Sequence, residues 1–223
     1  MADLILGSTT AISESGGNVT LDNAVQDNIT RLGTVTAGNI VAISDCVKLY
    51  SNTVSAATTI SIDGYFDDSI YGYYEAHFLD LQASAAAQGY IRLNTGGSAD
   101  SSSVYWSTLG ENYTITGAGG VADRADQDGA TFTNYDGTWN MPRTSIDGTA
   151  NLVLRFGSPQ STSIFKHIHM SNVSGGQNEA ENYNFVDTGV CIFRSLTAVT
   201  GVTLYLSASG TINGKVLLYG YKK

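Results

Sequence analysis

The stretch Tyr73-Tyr74-Glu75-Ala76-His77-Phe78-Leu79-Asp80 decides the fold class, because two sets of side chains alternate along it. Successive side chains of a β-strand point to opposite faces, so this period is typical of a half-buried strand. The same period recurs in Leu152-Val153-Leu154-Arg155-Phe156 and in Val202-Thr203-Leu204-Tyr205-Leu206. No long segment has convincing helical spacing. We therefore predict an all-β protein.

Glycine-containing spacers separate the predicted strands, as in Asp63-Gly64, Thr95-Gly96-Gly97 and Asn213-Gly214. The chain has 25 Gly and only 2 Pro, so Gly, Asn and Asp have to form the turns. Many short strands joined by such turns predict a β-sandwich, and a jelly roll is the form that we favour. Residues 94–149 form the least regular span, and we predict insertion loops there, with a binding surface in the loops around residues 95–145.

The first 44 residues differ from the rest because they contain no aromatic residue. A segment so poor in large side chains cannot bury enough apolar surface to form its own core. We predict an extended N-terminal assembly arm over residues 1–44 and a β-sandwich domain over residues 45–223. Residues 20–32 also have the apolar spacing of a short helix, although their Asn, Thr and Asp residues disfavour one, so both readings stay open.

Composition and charge argue against several partners. The chain has 11 Lys and Arg against 20 Asp and Glu, a net charge of -9, and binding to a phosphate backbone needs clustered cations. No run approaches the roughly 20 apolar residues that cross a bilayer, so we expect no membrane insertion. The segment Met1–Ser8 has no basic region and only a short apolar stretch, so we expect folding in a cytosol. No P-loop or dinucleotide motif is present, and we predict no cofactor.

Three segments resemble structural proteins of tailed-bacteriophage virions. The tyrosine-rich strand 71–78 and the closing segment 202–221 are similar to β-sandwich domains of such particles, and residues 26–36 are similar to linkers of phage tail fibres. The resemblance covers residues 19–40 and 65–223 in patches. It implies a non-enzymatic virion component, assembled in the host cytoplasm, most simply a homotrimeric tail-fibre or tail-associated protein.

The resemblance also implies partners. Residues 1–44 would dock onto other virion proteins, and the sandwich would contact a host-surface glycan. Three alternatives stay open: a capsid decoration (cement) protein, a glycan-degrading or glycan-binding tail protein, and a cellular carbohydrate-binding module.

His167-Ile168-His169 is the sharpest small motif. On a strand both imidazoles point to one side, and three copies about a three-fold axis would present six nitrogens, enough for an octahedral metal ion. Some tail-fibre tips resemble this arrangement. The alternative is a strand with two outward histidines.

Aromatic and acidic residues supply the other candidates. Four aromatic residues of the irregular span are candidate receptor contacts, or else sandwich core: Trp106, Tyr113, Tyr135 and Trp139. Three aspartates before Gly129 form either a calcium site or a solvated acidic loop: Asp123, Asp126 and Asp128. Hydrolase chemistry needs paired carboxylates, and four are nominal candidates: Asp67, Asp68, Glu75 and Asp80. No motif singles out a pair, so we predict no catalytic residue.

Overall fold

The structure is a computed structural model. It describes residues 4–6, 9–15, 18–21, 45–84, 87–115, 118–129, 140–141, 147–177, 182–206 and 209–223. The chain divides into two compact units, residues 1–40 and 41–223. The described part contains no helix, and hence none long and apolar enough to cross a membrane.

In the first unit the described residues form a three-stranded antiparallel sheet. Its strands, numbered in chain order, are β1 (Leu4–Leu6), β2 (Thr9–Ser15) and β3 (Asn18–Leu21). Their register places Leu4 opposite Ile12, and Ile12 opposite Leu21. The predicted boundary after residue 44 and the assembly role of this segment stay predictions, and most of the candidate helix at residues 20–32 lies outside the described residues.

The second unit contains two antiparallel sheets. The large sheet has eight strands, which in spatial order are β10 (Ala118–Gly129), β9 (Tyr105–Ile115), β14 (Asn182–Phe193), β13 (Lys166–Gln177), β12 (Asp147–Gly157), β6 (Tyr71–Ala83), β16 (Ile212–Lys222) and β4 (Cys46–Ala57). The small sheet follows the order β11 (Asn140–Met141), β7 (Ala87–Thr95), β15 (Val199–Leu206) and β5 (Thr59–Asp63), and β8 (Ser98–Ala99) pairs with β7.

One hydrophobic core joins the two sheets. The large sheet contributes inward side chains such as Phe78, Leu154 and Val216, and the small sheet contributes Ile62 and Leu204, all at most 1% exposed. Fully burying one such side chain is worth about 1.5–3 kcal/mol. The predicted all-β sandwich is therefore confirmed. Strands β4 to β7 alternate between the sheets, as jelly-roll connectivity requires, but the jelly roll itself stays a prediction.

The prediction of insertion loops over residues 95–145 is wrong for much of that span. Strands β9 and β10 form a regular hairpin in continuous register from Ala118 opposite Ile115 to Asp126 opposite Ser107. The segment is rich in Gly, Ser and Thr because the hairpin lies at one edge of the large sheet, where fewer positions need an apolar partner. Asp123, Asp126 and Asp128 consequently lie in a strand and not in a loop.

A β-bulge interrupts the predicted alternation in β6. In β6, Asp80 has left-handed backbone geometry (φ 53°), and the next inward side chain after Phe78 is Leu81. Two residues of β6 therefore lie opposite Asn151, whose Oδ1 accepts the Asp80 N–H at 3.0 Å. The predicted turn at Asn213-Gly214 is also wrong, because both residues lie within β16 where its register with β4 and β6 shifts.

Candidate functional site

The outer face of the large sheet carries a continuous row of polar and aromatic side chains that ends at a valine. Residues directly opposite each other in an antiparallel sheet point to the same face, so the register defines this row. It runs across five strands through Tyr219, Glu75, Arg155, His169 and Val190. All three histidines of the chain lie on this face, because His77 follows Glu75 by two residues and His167 precedes His169 by two.

Glu75 is the centre of a hydrogen-bonded network on this face. Its Oε1 accepts Arg155 Nε–H at 3.0 Å, and its Oε2 accepts His77 Nε2–H at 3.2 Å and the Tyr221 hydroxyl at 3.1 Å. Arg155 Nη1 also lies 3.4 Å from His169 Nδ1. A guanidinium only donates, so Nδ1 accepts and the neutral His169 ring carries its proton on Nε2.

The pKa values of these groups follow from the same contacts. Burial alone would raise the pKa of Glu75, but hydrogen bonds from Arg155, His77 and Tyr221 lower it below its ordinary value. Burial raises the pKa of Tyr73, and the negative Glu75 beside it adds to the shift. Burial likewise raises the pKa of Tyr221, with hydrogen bonds to Cys46 and Glu75 acting in the same direction. The two tyrosines therefore stay protonated hydroxyls at neutral pH.

An open groove of about 510 Å³ lies beside this network. Gly157 is paired with Tyr73 on β6, and it lies next to His167 because the terminal pair of β12 and β13 is Phe156 opposite Ile168. Without a side chain at position 157, the space between Tyr73 and His167 stays empty. A Cβ there would have no heavy atom within 4 Å. The residues that line the groove are Tyr73, Arg155, Gly157, His167, Ile168, His169 and Val190.

Neighbouring side chains support the Tyr73 ring, which forms one wall of the groove. The rings of Tyr73 and Tyr221 meet edge to face with their centroids 5.4 Å apart, and the Tyr221 hydroxyl is bound to Glu75. Sites built on strands with such supported side chains keep their geometry without a ligand. The Tyr73 side of the groove is therefore pre-organised.

The structure brings three of the predicted site residues to one face. His167 pairs with Ile192, and Ile192 pairs with Trp106, so Trp106 points outward together with His167 and with His169, two residues further along β13. Trp106 is 39% exposed, and the guanidinium of Arg194 stacks over its ring at 4.0 Å. Tyr113 lies in β9, but its side chain is outside the described part, as are Tyr135 and Trp139 entirely.

The predicted metal site stays a prediction. In the described part of the chain no group of three His, Cys, Asp or Glu residues could hold a metal ion. The Arg155 guanidinium beside His169 also disfavours a second cation there. A site at His167 and His169 would need ligands from other copies of the chain. The side chains of Asp123, Asp126 and Asp128 are outside the described part, so calcium binding there stays a prediction too.

The four nominal hydrolase carboxylates do not converge. Asp67 and Asp68 lie in the turn before β6, where Asp67 accepts hydrogen bonds from Ser69 and Asp68 Oδ2 accepts the Gln160 N–H at 2.8 Å. Burial raises the pKa of Asp68. Glu75 is bound by its three donors, and Asp80 is in the β-bulge. No described residue that lines the groove is a carboxylate.

Sequence reasoning did not assign Arg155, Gly157 or Tyr73 to a site. Arg155 and Tyr73 occupy outward positions of strands with alternating side chains. The alternation indicates that they are exposed, but it does not indicate that they lie close to each other. Gly157 has no signal in the sequence, because its role depends on which side chains flank it.

Comparisons of the chain with protein-family models, with curated proteins and with solved structures found no match.

Replacing Glu75 by glutamine tests whether the network stabilises the sheet. We expect E75Q to lower the free energy of unfolding by about 1 kcal/mol at neutral pH, because Arg155 loses its ion-pair partner while its own partial exposure limits the loss. The pKa of Glu75 is lower in the folded chain, so this contribution is complete above the ordinary value of 4.5 and disappears as pH falls through the lowered value. Urea unfolding of both proteins at several pH values measures the difference.

The exposed carboxylate of Asp80 provides the matched control for this experiment. D80N should change the free energy of unfolding by less than about 0.5 kcal/mol, since asparagine also tolerates left-handed backbone geometry. Equal losses in D80N and E75Q, or a difference between wild type and E75Q that persists in acid, would contradict a stabilising role of the network.

Proposed function

We propose that this protein is a non-enzymatic structural component of a tailed-phage virion, in a tail-fibre or tail-associated position. The sandwich would serve assembly and contact with the host surface. The observation that carries the proposal is the pre-organised, solvent-open groove on a rigid sheet face, because recognition without chemistry needs only positioned side chains. The resemblance of residues 71–78 and 202–221 to virion domains supports the assignment to a virion.

Self-association is part of the proposal. Three valines on the outer face of β13 and β14 are between 44% and 56% exposed: Val173, Val186 and Val190. The register places Val173 directly opposite Val186, so at least two of them form a contiguous apolar surface. Apolar surface of this kind supports contact with another subunit, and we propose the homotrimer that tail fibres form. We also propose that residues 1–44 dock onto other virion proteins, because this segment contains no aromatic residue with which to form its own core.

Labelling of virions tests the proposal. A peptide-tagged copy should be incorporated and should place gold label on tails in negative stain, and quantitative gels of purified virions should give low tens of copies or fewer per particle. Even labelling of heads at hundreds of copies would support the cement-protein alternative. Absence of the protein from purified virions would reject both of these assignments. Clearing of host lawns by the purified protein would favour the glycan-degrading alternative.

A further inference from the structure

The space over Gly157 is large enough to hold one six-membered ring. Neighbouring strands lie about 4.8 Å apart, so Tyr73 and His167, on either side of Gly157, are about 10 Å apart at their backbones. Side chains stand roughly perpendicular to a sheet, and stacked carbon atoms meet at about 3.5–4.0 Å. A single ring therefore fits between the phenol and the imidazole.

The polar groups of the groove are mostly donors. Arg155 contributes a guanidinium, His169 an Nε2–H and Tyr73 a protonated hydroxyl, whereas no carboxylate lines the groove in the described part of the chain. The Glu75 carboxylate, which is bound to the lining residue Arg155, already accepts hydrogen bonds from Arg155, His77 and Tyr221. A ligand that contributes acceptors satisfies this lining best, and a carboxylate is the acceptor that matches a guanidinium.

Aromatic faces together with hydrogen-bond donors fit a sugar ring better than a flat apolar molecule, since a sugar has both apolar faces and polar edges. We infer that the groove over Gly157 binds an acidic pyranose, a sugar ring that carries a carboxylate, stacked between Tyr73 and His167 and bound by Arg155. This inference rests on the proposed host-surface contact and names the class of glycan. The net charge of -9 opposes an anion only weakly, because 0.1 M salt screens charges beyond about 10 Å.

Position 157 permits a clean test. A Cβ at that position would have no heavy atom within 4 Å, and Gly157 does not have left-handed backbone geometry, so G157V should fold while its branched side chain occupies the space of the ring. The control is T188V, an isosteric change at an exposed outward position of β14 that does not line the groove. H167A, which removes the opposite wall at an exposed position, is the second variant.

The probes are methyl glucuronide and methyl glucoside, which differ only in the carboxylate. Saturation-transfer and chemical-shift NMR at 0.1 M salt should detect the glucuronide at millimolar concentrations, with about tenfold weaker binding of the glucoside. G157V should abolish binding and H167A should weaken it at least about fivefold, while T188V should bind as wild type does. Thermal unfolding followed by circular dichroism establishes that each variant is folded.

Three results would overturn the inference: no binding of either sugar, equal affinity for both, or wild-type binding by G157V. These outcomes are separate from those of the virion experiment. Tail labelling without sugar binding would reject this inference alone, and sugar binding by a protein absent from virions would reject the proposed function alone.

Discussion

Replacing Gly201 by alanine should lower the free energy of unfolding by about 3 kcal/mol or more. Gly201 lies in β15 between Asp63 of β5 and Asn94 of β7. A Cβ at this position would be 2.1 Å from the backbone oxygen of Ile62 and 2.5 Å from Asp63 Oδ1. Backbone atoms of a paired strand cannot move aside cheaply, so either the strands separate or their register changes.

The same substitution would also break a polar network on the outer face of the small sheet. Asp63 Oδ1 accepts the Thr200 hydroxyl at 2.7 Å and Asn94 Nδ2–H at 3.2 Å, and the bond to Asn94 crosses the bare backbone of Gly201. Asn94 is only 1% exposed, and its Oδ1 accepts the Thr203 hydroxyl at 2.7 Å. A methyl group at position 201 would displace the carboxylate and leave buried polar atoms without their partners.

The control for this prediction is G157A, which adds the same methyl group to another strand glycine. Since position 157 has open space and no left-handed backbone geometry, we expect G157A to be neutral or slightly stabilising. Urea unfolding gives both free energies from proteins of identical composition. Comparable losses at the two positions would show that steric contact with Ile62 does not determine the effect.

Replacing Lys166 by methionine should lower the free energy of unfolding by about 3 kcal/mol. Lys166 begins β13 and is 2% exposed, and its ammonium donates to the backbone oxygens of Ser195 at 2.9 Å and Thr197 at 2.6 Å. Those two residues belong to the connection that carries the chain from β14 in the large sheet to β15 in the small sheet. Methionine keeps the apolar stem but leaves both carbonyl groups without this donor.

The matched control is K215M, because Lys215 is exposed on β16 and should change stability by less than about 0.5 kcal/mol. Thermal and urea unfolding of the two variants give the comparison. If K166M were as stable as K215M, the hydrogen bonds to residues 195 and 197 would not hold the connection between the sheets.

The pH dependence of K166M gives an independent readout. Burial lowers the pKa of Lys166, and the negative charge of Asp68 opposes this shift only in part. The folded chain therefore releases this proton at lower pH than the unfolded chain, whose lysine has the ordinary pKa of 10.5. Between the lowered value and 10.5 the unfolded chain binds more protons, so wild type gains stability relative to K166M as pH rises through that window. If the difference in free energy of unfolding between wild type and K166M became smaller with rising pH, the lowered pKa would not belong to Lys166.

The sequence predicted the sandwich because alternation is a local property. Buried residues such as Tyr74, Ala76 and Phe78 can be identified from their own strand alone, since one face of that strand must meet a core. The prediction failed at Asp80, where a β-bulge shifts the period of β6, and at Asn213-Gly214, where the predicted turn lies within β16. A bulge depends on the partner strand, which the local pattern does not contain. The irregular composition of residues 105–129 similarly reflects an edge hairpin.

The sequence predicts single residues of the candidate site but not their arrangement. The sequence by itself determined that Tyr73, Arg155 and His167 point outward from strands, because an outward position follows from the period of two. Only the tertiary structure decided that these three residues surround Gly157, because the register between β6, β12 and β13 results from pairing between segments distant in the chain. A shift of one residue in any of these pairings would exchange inward and outward side chains. The shared core excludes that shift, and the core forms only when both sheets are assembled.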